Sequence, residues 1–285
     1  MNPAIGTFGS APALRPLAFA QQQRDETAER LATGLRINRG SDDPAGLISS
    51  EALRAMLAEL EAESRAFERA TRAADVADAS LGAVGDLLIE AEALAVANAS
   101  TGGLSEAERQ ANQLELNAIL QSVDRLAQGA SFADRPLLRG GASLSAGDVA
   151  VELPSAAVTD LGEVTGGDGE TYRLADVASG GPLETAGAGD AAGQPSALDV
   201  IRQARDEILR ARSDVGSFIA EGIAPLQRSS AVAIENTASA ESVIRDADYA
   251  KQTAELIRLN ALENASLTAL TVGPFDPTRL LALLG

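Results

Sequence analysis

Residues 44–103 read PAGLISSEALRAMLAELEAESRAFERATRAADVADASLGAVGDLLIEAEALAVANASTGG, and this stretch carries the strongest periodic pattern in the chain. Apolar side chains recur at every seventh position, a spacing that places them on one face of a long helix. These positions are Leu53, Leu60, Phe67, Ala74, Leu81, Leu88 and Ala95. The companion positions Met56, Ala70, Ala77, Val84 and Ala91 are apolar as well, with Glu63 and Asn98 as exceptions. The pattern therefore predicts one helix from Pro44 to residues 99–103.

A second helix and a glycine-rich region follow this stretch. Ser105 and Glu108 have the spacing of a capping box, and the helical pattern that they open runs to Gly129. Residues 129–195 hold half of the 26 glycines, and DVAVEL and TYRL are the only plausible strands among them. The sequence therefore predicts a small β-hairpin or loop region in the middle of the chain.

Helical pattern returns at Ser196 and covers most of the remaining chain. Pro225 lies inside this pattern, and its missing backbone donor predicts a kink or a break in the helix there. Residues 244–270 form the last helical stretch, and Gly273 and Pro274 then precede the apolar ending RLLALLG.

Prolines also interrupt the first 23 residues, at positions 3, 12 and 16. Each of them removes a backbone donor and disfavours helix just before it, so we expect residues 1–23 to be poorly ordered in an isolated molecule. A helical pattern runs from Asp25 to Leu35, and the polar sequence RINRGSDD then connects it to the long helix.

These patterns predict a mainly α fold. We expect a long helical-bundle rod in which amino- and carboxyl-terminal segments pair, with the β-hairpin or loop region in the middle. The expected segments are an amino-terminal segment with its connector at 1–43, an amino-terminal helical rod at 44–128, the glycine-rich region at 129–195, a carboxyl-terminal rod helix at 196–243 and a last helix at 244–285.

The composition excludes several classes of function. Cysteine and histidine are both absent, which removes thiol chemistry, the commonest general base and the commonest transition-metal ligand. We therefore expect no enzyme, no cofactor and no metal site. A net charge of -18 argues against nucleic acid and membrane surfaces as partners, because both are negatively charged. The first residues lack the pattern of a cleaved signal peptide, and no segment approaches the roughly 20 apolar residues that span a bilayer.

Two acidic pairs stand near predicted helix starts, Asp42 with Asp43 and Asp246 with Asp248. Such pairs could bind a cation or transfer protons, but neither has the glycine-bearing loop of a calcium site or a histidine companion. Helix capping is the better interpretation. We assign connector and capping roles to Arg36, Asn38, Asp42, Asp43, Arg245, Asp246 and Asp248.

The apolar terminal segments have no obvious cover inside one chain. The central heptad positions can pack within the molecule, but an exposed apolar tail would promote aggregation, so we expect other copies to cover it. The residues assigned to helix and subunit packing are Leu31, Leu35, Ile37, Leu53, Leu60, Phe67, Leu81, Leu88, Ile201, Ile208, Val215, Ile244, Leu256, Leu280 and Leu284.

Two blocks of this sequence resemble bacterial flagellin. LATGLRINRGSDDPAGLISSEALR resembles the amino-terminal region of that family, and ESVIRDADYAKQTAEL resembles its carboxyl-terminal counterpart. The stretches EAEALAVANASTGGLSEAERQANQLELNAILQSVDRLAQ and SFADRPLLRGG, and the ending from Pro277 to Leu284, are similar to the same family. The likeness covers residues 25–140 and 200–285, and its blocks occur in the family's order.

The resemblance implies a structural subunit of the bacterial flagellar filament. Flagellins are exported unfolded by the flagellar type III system and polymerise through their terminal helices into the extracellular filament used for swimming. Residues 1–43 and 244–285 would form the inner-tube helices. The partners implied are further copies of the chain or other flagellins, a flagellar export chaperone and the filament cap.

The chain also departs from the flagellin pattern. Flagellins usually have a continuous helix where this chain has its first prolines, and again at Gly273 and Pro274. These departures predict a divergent or minor flagellin that polymerises weakly or only beside a major one. The nearest alternative is a hook-filament junction protein, whose amino-terminal block also resembles SDDPAG. More distant alternatives are an enzyme or binding module within residues 141–195 and a soluble coiled-coil adaptor.

Overall fold

The computed structural model describes residues 11–99, 103–185 and 194–272, and helices dominate it. The helices are α1 (Ala11–Thr33), α2 (Pro44–Ala99), α3 (Glu106–Gly129), α4 (Ala197–Ser217), α5 (Ala224–Arg245) and α6 (Tyr249–Val272). A 3₁₀ turn covers Leu174–Val177, and a π-helical segment, Phe218–Ile223, lies between α4 and α5. The strands are β1 (Ser131–Phe132), β2 (Arg135–Pro136), β3 (Arg139–Ala146), β4 (Val149–Ser155), β5 (Val164–Thr165) and β6 (Thr171–Tyr172). The predicted mainly α fold, with small antiparallel strand pairs in the middle, is confirmed.

The chain divides into two compact units. Unit 1 combines the two ends of the chain, Met1–Leu60 and Ala233–Gly285. Unit 2 is the continuous segment Glu61–Val232. Because α2 and α5 both cross a boundary, each of these helices contributes residues to both units.

The heptad pattern of α2 forms the core of unit 2. From Phe67 onward its positions are buried in one apolar cluster together with side chains of α3 and α4, and Leu81 and Leu88 are fully buried. Burying a leucine of this kind contributes about 1.5–3 kcal/mol. Earlier in the helix, within unit 1, Met56 is exposed and Leu53 and Leu60 are half-buried. The same sequence pattern is therefore an internal core in unit 2 and only a partly covered face in unit 1.

Asn98, an exception in the apolar pattern, belongs to a buried polar cluster. Its side-chain amide donates to Thr185 Oγ1 at 2.8 Å, and its amide oxygen accepts from Asn112 Nδ2 at 2.8 Å. Gln113 donates to the carbonyl of Val177 at 2.9 Å and accepts from the backbone N–H of Thr185 at 2.9 Å. These bonds fix the end of α2 and the start of α3 to the chain that follows β6, because buried amides must find partners.

The strands of unit 2 are more numerous than the sequence predicted. DVAVEL is confirmed as part of β4, and TYRL forms a strand only at Thr171–Tyr172. The expectation that these were the only strands was wrong, since β3 pairs with β4 in an antiparallel hairpin. The sequence of β3, RGGASLSA, has no β-branched or aromatic residue. It extends because it pairs with β4 and buries Leu144 and Ala146.

The irregularity expected at Pro225 lies in the residues just before it. The Ala224 N–H donates to the carbonyl of Ile219, five residues back, which is the pattern of a π-helix. Pro225 follows at the second position of α5 and has no N–H to donate to the preceding turn. The helical path continues through this point, so the proline causes a change of helix type and not a break.

Helix α1 corrects the expectation that residues 11–23 are poorly ordered. Pro12 lies in its first turn, where the missing N–H has no intrahelical partner in any case. The helix packs along α6, which comes from the other end of the chain. Tertiary packing of this kind sustains helices that intrinsic propensity alone would not, and it accounts for the helix at Pro16. Residues 1–10 lie outside the described residues.

Candidate functional site

The connector between α1 and α2 meets the turn between α5 and α6 inside unit 1. The backbone N–H of Arg36 donates to the carbonyl of Arg245 at 2.7 Å, and that of Ala247 donates to the carbonyl of Gly34 at 2.9 Å. Leu35 and Asp246 thereby form an antiparallel bridge. We call residues 34–43 and 244–248 the junction. It brings together all seven residues that the sequence marked as connector and capping residues.

Two arginines reach across the junction in opposite directions. The guanidinium of Arg36 donates to the carbonyl of Ile244 at the end of α5, and its Nη1 lies 3.9 Å from Asp43 Oδ2. In return, Arg245 Nη1 lies 2.8 Å from Glu51 Oε1 on α2. The Arg245 side chain is only 13% exposed, so this pair is partly shielded from water. Each arginine thus ties its own segment to a helix from the other end of the chain.

The acidic residues of the junction have distinct roles. Asp43 Oδ1 accepts from the Gly46 N–H at 2.9 Å and caps α2, and Asp248 Oδ1 accepts from the Lys251 N–H at 3.0 Å and caps α6. Asp42 does not cap a helix, because its Oδ2 instead accepts two backbone N–H groups of the connector. Asp246 lies just after α5, where it accepts from the hydroxyl of Ser242.

The first helix ends at a glycine that the junction requires. Gly34 has φ +74°, and its N–H donates to the carbonyl of Arg30 at 2.9 Å, which closes the last turn of α1. A Cβ at this position would lie 3.2 Å from the hydroxyl oxygen of Tyr249. The left-handed backbone and the close tyrosine therefore both favour glycine.

The residues predicted to pack helices are divided between the two units. Those in the core of unit 2 are Phe67, Leu81, Leu88, Ile201, Ile208 and Val215. Ile37 is fully buried in the junction of unit 1. Half-buried positions of unit 1 are Leu31, Leu35, Leu53, Leu60, Ile244 and Leu256. Leu280 and Leu284 lie outside the described residues.

Unit 1 also exposes large apolar side chains that the sequence analysis did not select. They are Phe19, Ile48, Met56, Val243, Tyr249, Ile257, Leu262 and Leu267, and we call them the apolar surface of unit 1. Val243 is 81% exposed and Ile257 is 65% exposed. Apart from Met56, they fall outside the repeats that we followed, and their exposure depends on what packs against each helix.

Two carboxylates of this region have depressed pKa values. The backbone amides of Arg39 and Asn38, each 2.9 Å from Asp42 Oδ2, lower the pKa of Asp42 below its ordinary value of 3.8. The hydrogen bond from Arg245 lowers the pKa of Glu51 below 4.5. Because both pKa values are lower in the folded protein, the stability that these groups contribute is present above the ordinary values. It is lost as pH falls through the depressed values.

Acidification is therefore expected to loosen the connector at a pH below 3.8. The amide proton resonances of Asn38 and Arg39 should titrate together, with a common midpoint below that value, because both report the charge of Asp42. NMR on the monomer measures this midpoint. Asp42→Asn should abolish the titration and Asp25→Asn on α1 should leave it unchanged. A common midpoint at 3.8 or higher would contradict the hydrogen bonds.

Within the described ranges, no group of three or more acidic side chains is arranged to hold a metal ion. None of the helices described is long and apolar enough to cross a membrane. Unit 1 contains a junction of both chain ends and eight of the thirteen exposed large apolar side chains among the described residues.

Comparison with known proteins defines the class. Residues 10–143 match the family model of the bacterial flagellin N-terminal helical region. The chain is 26% identical over 280 residues to the flagellar filament 31.3 kDa core protein of Treponema maltophilum, covering 95% of each chain. It is 28% identical over 273 residues to a flagellin of Halalkalibacterium halodurans, covering 95% of each chain. It is 27% identical over 292 residues to a flagellin of Bacillus subtilis, covering 95% of this chain and 96% of the relative.

Fold and comparisons together define a structural subunit of a filament, with a helical unit assembled from both chain ends. The chain belongs to the bacterial flagellin family. Flagellins are structural proteins, and the filament of which they are the subunits is extracellular.

Proposed function

We propose that this chain is exported unfolded by the flagellar type III system and polymerises through unit 1 into a filament used for swimming. The observation that carries this proposal is the apolar surface of unit 1. Exposed apolar area costs about 25 cal/mol per Å² relative to burial, and eight exposed large apolar side chains in one unit are candidates for contact with a partner. Other copies of the chain supply the missing cover.

The pairing of α1 with α6 explains why one copy cannot cover itself. Two helices share a single seam, and Ala20, Thr27 and Leu259 are the buried positions described for this pair. At its edge, Arg24 Nη1 lies 2.8 Å from Glu263 Oε2. Phe19, on the same pair, remains exposed. A contact between the outer face of α1 in one copy and that of α6 in the next is heterologous, and heterologous contacts that do not close into a ring propagate as open helical polymers.

The same surface supports a need for partners before assembly. A subunit with uncovered apolar helices is prone to nonspecific association, so we include a flagellar export chaperone and the filament cap among the partners. Pro12 and Pro16 lie within α1, and the α1–α6 pair forms despite them. These two prolines therefore do not prevent the helix pair through which we propose that the chain polymerises.

Replacing Ile257 by asparagine is expected to raise the critical concentration for seeded polymer growth by about tenfold or more. The apolar burial lost at this exposed position is about 1.5–3 kcal/mol in the polymer and almost nothing in the monomer. Sedimentation of polymer from a concentration series measures it. Leu114→Asn, at an exposed leucine of α3 in unit 2, is the matched control and should change growth little.

Deletion of residues 264–285 provides the stronger form of the same test. It removes the last turns of α6 and should abolish pelletable polymer while circular dichroism still reports the remaining helices. Undiminished polymer from this truncated chain, or equal effects of the Ile257 and Leu114 substitutions, would refute assembly through unit 1.

A further inference from the structure

A polar cleft of about 360 Å³ lies within unit 1 between α1, the connector and α6. Three cationic side chains line it, Arg30, Arg36 and Lys251. Three anionic side chains line it as well, Glu26, Asp42 and Glu255. The formal charges balance. What the cleft can bind therefore depends on which of these side chains already have a hydrogen-bond or ion-pair partner.

The anionic groups of the cleft already have partners. Asp42 accepts two backbone N–H groups, Glu255 pairs with Arg258 and Glu26 accepts from Gln22 Nε2 at 3.0 Å. Among the cations, Arg36 is held by the carbonyl of Ile244. The three anionic side chains are therefore engaged, whereas two of the three cationic side chains are not.

Arg30 and Lys251 are the two available cations. Neither side chain forms a hydrogen bond or an ion pair with any residue that the structure describes. The chain has 41 acidic residues against 23 basic ones, so carboxylates are in surplus in this molecule. Arg30 acts on Asp42, and Lys251 on Glu255, through space without a hydrogen bond, so both cations keep their N–H donors for a further carboxylate.

We propose that this cleft receives acidic side chains of a second copy of the chain, with Arg30 and Lys251 as the pairing residues. The proposal rests on the proposed function, because it needs copies in contact through unit 1. Two observations favour a second copy as the occupant. Leu262, an exposed member of the apolar surface, lies about three helical turns after Lys251 on the same face of α6, so a copy that covers it also faces Lys251. The surplus of acidic residues ensures that an approaching copy presents carboxylates. Screening limits the attraction to about 8 Å at physiological salt, which makes it a contact between adjoining surfaces.

Lys251 is the only lysine in the chain, which permits a direct test. Acetylation with an N-hydroxysuccinimide ester, followed by peptide mass spectrometry, reports the accessibility of this one amine. Lys251 should be acetylated readily in the monomer. In the assembled polymer its acetylation should be slower by a factor of about ten or more. Equal reaction in monomer and polymer overturns the proposal. Protection of the monomer by millimolar acetate or phosphate also overturns it, because the cleft would then be a site for a free anion.

Paired substitutions separate charge pairing from simple burial. Arg30→Gln with Lys251→Gln removes both cleft cations, whereas Arg69→Gln with Arg210→Gln removes two exposed arginines of unit 2 that have no ion pair among the described residues. Both variants change the net charge equally. The critical concentration for seeded growth should rise about tenfold or more in the first and less than about threefold in the second.

The outcomes distinguish this inference from the proposed function. If the unaltered chain forms no polymer, both are refuted. If it polymerises and the two glutamine variants grow alike, polymerisation stands and the cleft contact is refuted. Circular dichroism of each monomer checks folding. Should the double variant lose helix, Lys251→Gln alone is compared with Arg69→Gln under the same criterion.

Discussion

Replacing Ile208 by alanine is expected to lower the free energy of unfolding by about 3–4 kcal/mol. Ile208 is fully buried in α4 and belongs to the core cluster of unit 2. Its Cγ2 lies 3.7 Å from the point that a Cβ would occupy on Gly85 of α2, which shows how closely the two helices approach. Truncation removes apolar contacts and leaves a cavity that closely packed helices cannot readily fill.

The neighbouring residue provides a matched control for this substitution. Leu209 occupies the next position of α4 and is 51% exposed. Leu209→Ala should change the free energy of unfolding by about 0.5 kcal/mol or less, because little burial is lost. Urea denaturation of the monomer, followed by circular dichroism, measures both. Similar losses for the two variants would mean that the α2–α4 seam is not the core of unit 2.

Replacing Gly162 by alanine is expected to be at least as disruptive, for a reason in the backbone. Gly162 has φ +73°, and a Cβ there would lie 2.6 Å from the carbonyl oxygen of Val200, a main-chain atom of α4 that cannot move alone. Its N–H also donates to Glu207 Oε2 at 2.9 Å. A left-handed alanine costs about 1–2 kcal/mol, and relieving the clash would displace the chain from α4. We expect a total loss of about 3 kcal/mol or more.

Gly169 separates the two contributions to that loss. It has φ +83°, and a Cβ there would meet nothing within 4 Å. Gly169→Ala should therefore cost only the backbone term of about 1 kcal/mol. The difference between the two variants in urea denaturation isolates the close approach to α4. If both alanine variants lose the same stability, this approach is not as tight as the structure has it.

Local signals in the sequence predicted much of the secondary structure. Asp43 with Pro44 marked the start of α2, and the glycine-rich end of its pattern marked the end at Ala99. The capping box of Ser105 and Glu108 is present at α3, and a second one joins Ser196 to Asp199 at α4. These features are readable because capping and helical periodicity depend on residues within a few positions of one another.

Predictions failed where distant contacts override local preference. Pro12 and Pro16 indicated disorder, yet α1 forms because it packs on α6. The sequence of β3 indicated a loop, yet it pairs with β4. In both cases the stabilising partner is another element whose position the local sequence does not specify.

In the candidate site, too, the sequence predicted local features but not the contacts between distant segments. The sequence marked Arg36 and Asp42 near one end of the chain and Arg245 and Asp246 near the other as polar connectors. It could not indicate that the backbone of Arg36 would bond to Arg245, or that Arg245 would reach Glu51. The cleft with Arg30 and Lys251 was missed entirely, because it exists only when three separate segments converge.

By itself, the sequence determined the helices, their caps and the family, since these follow from periodicity, turn chemistry and blocks of characteristic residues. Tertiary structure alone decided which chain ends pair at the junction, and which apolar side chains are buried and which remain exposed. The physical reason is that burial depends on what packs against a face. On the stripe of α2, Leu81 and Leu88 are fully buried in unit 2 whereas Leu53 and Leu60 are half-buried in unit 1, according to what covers them.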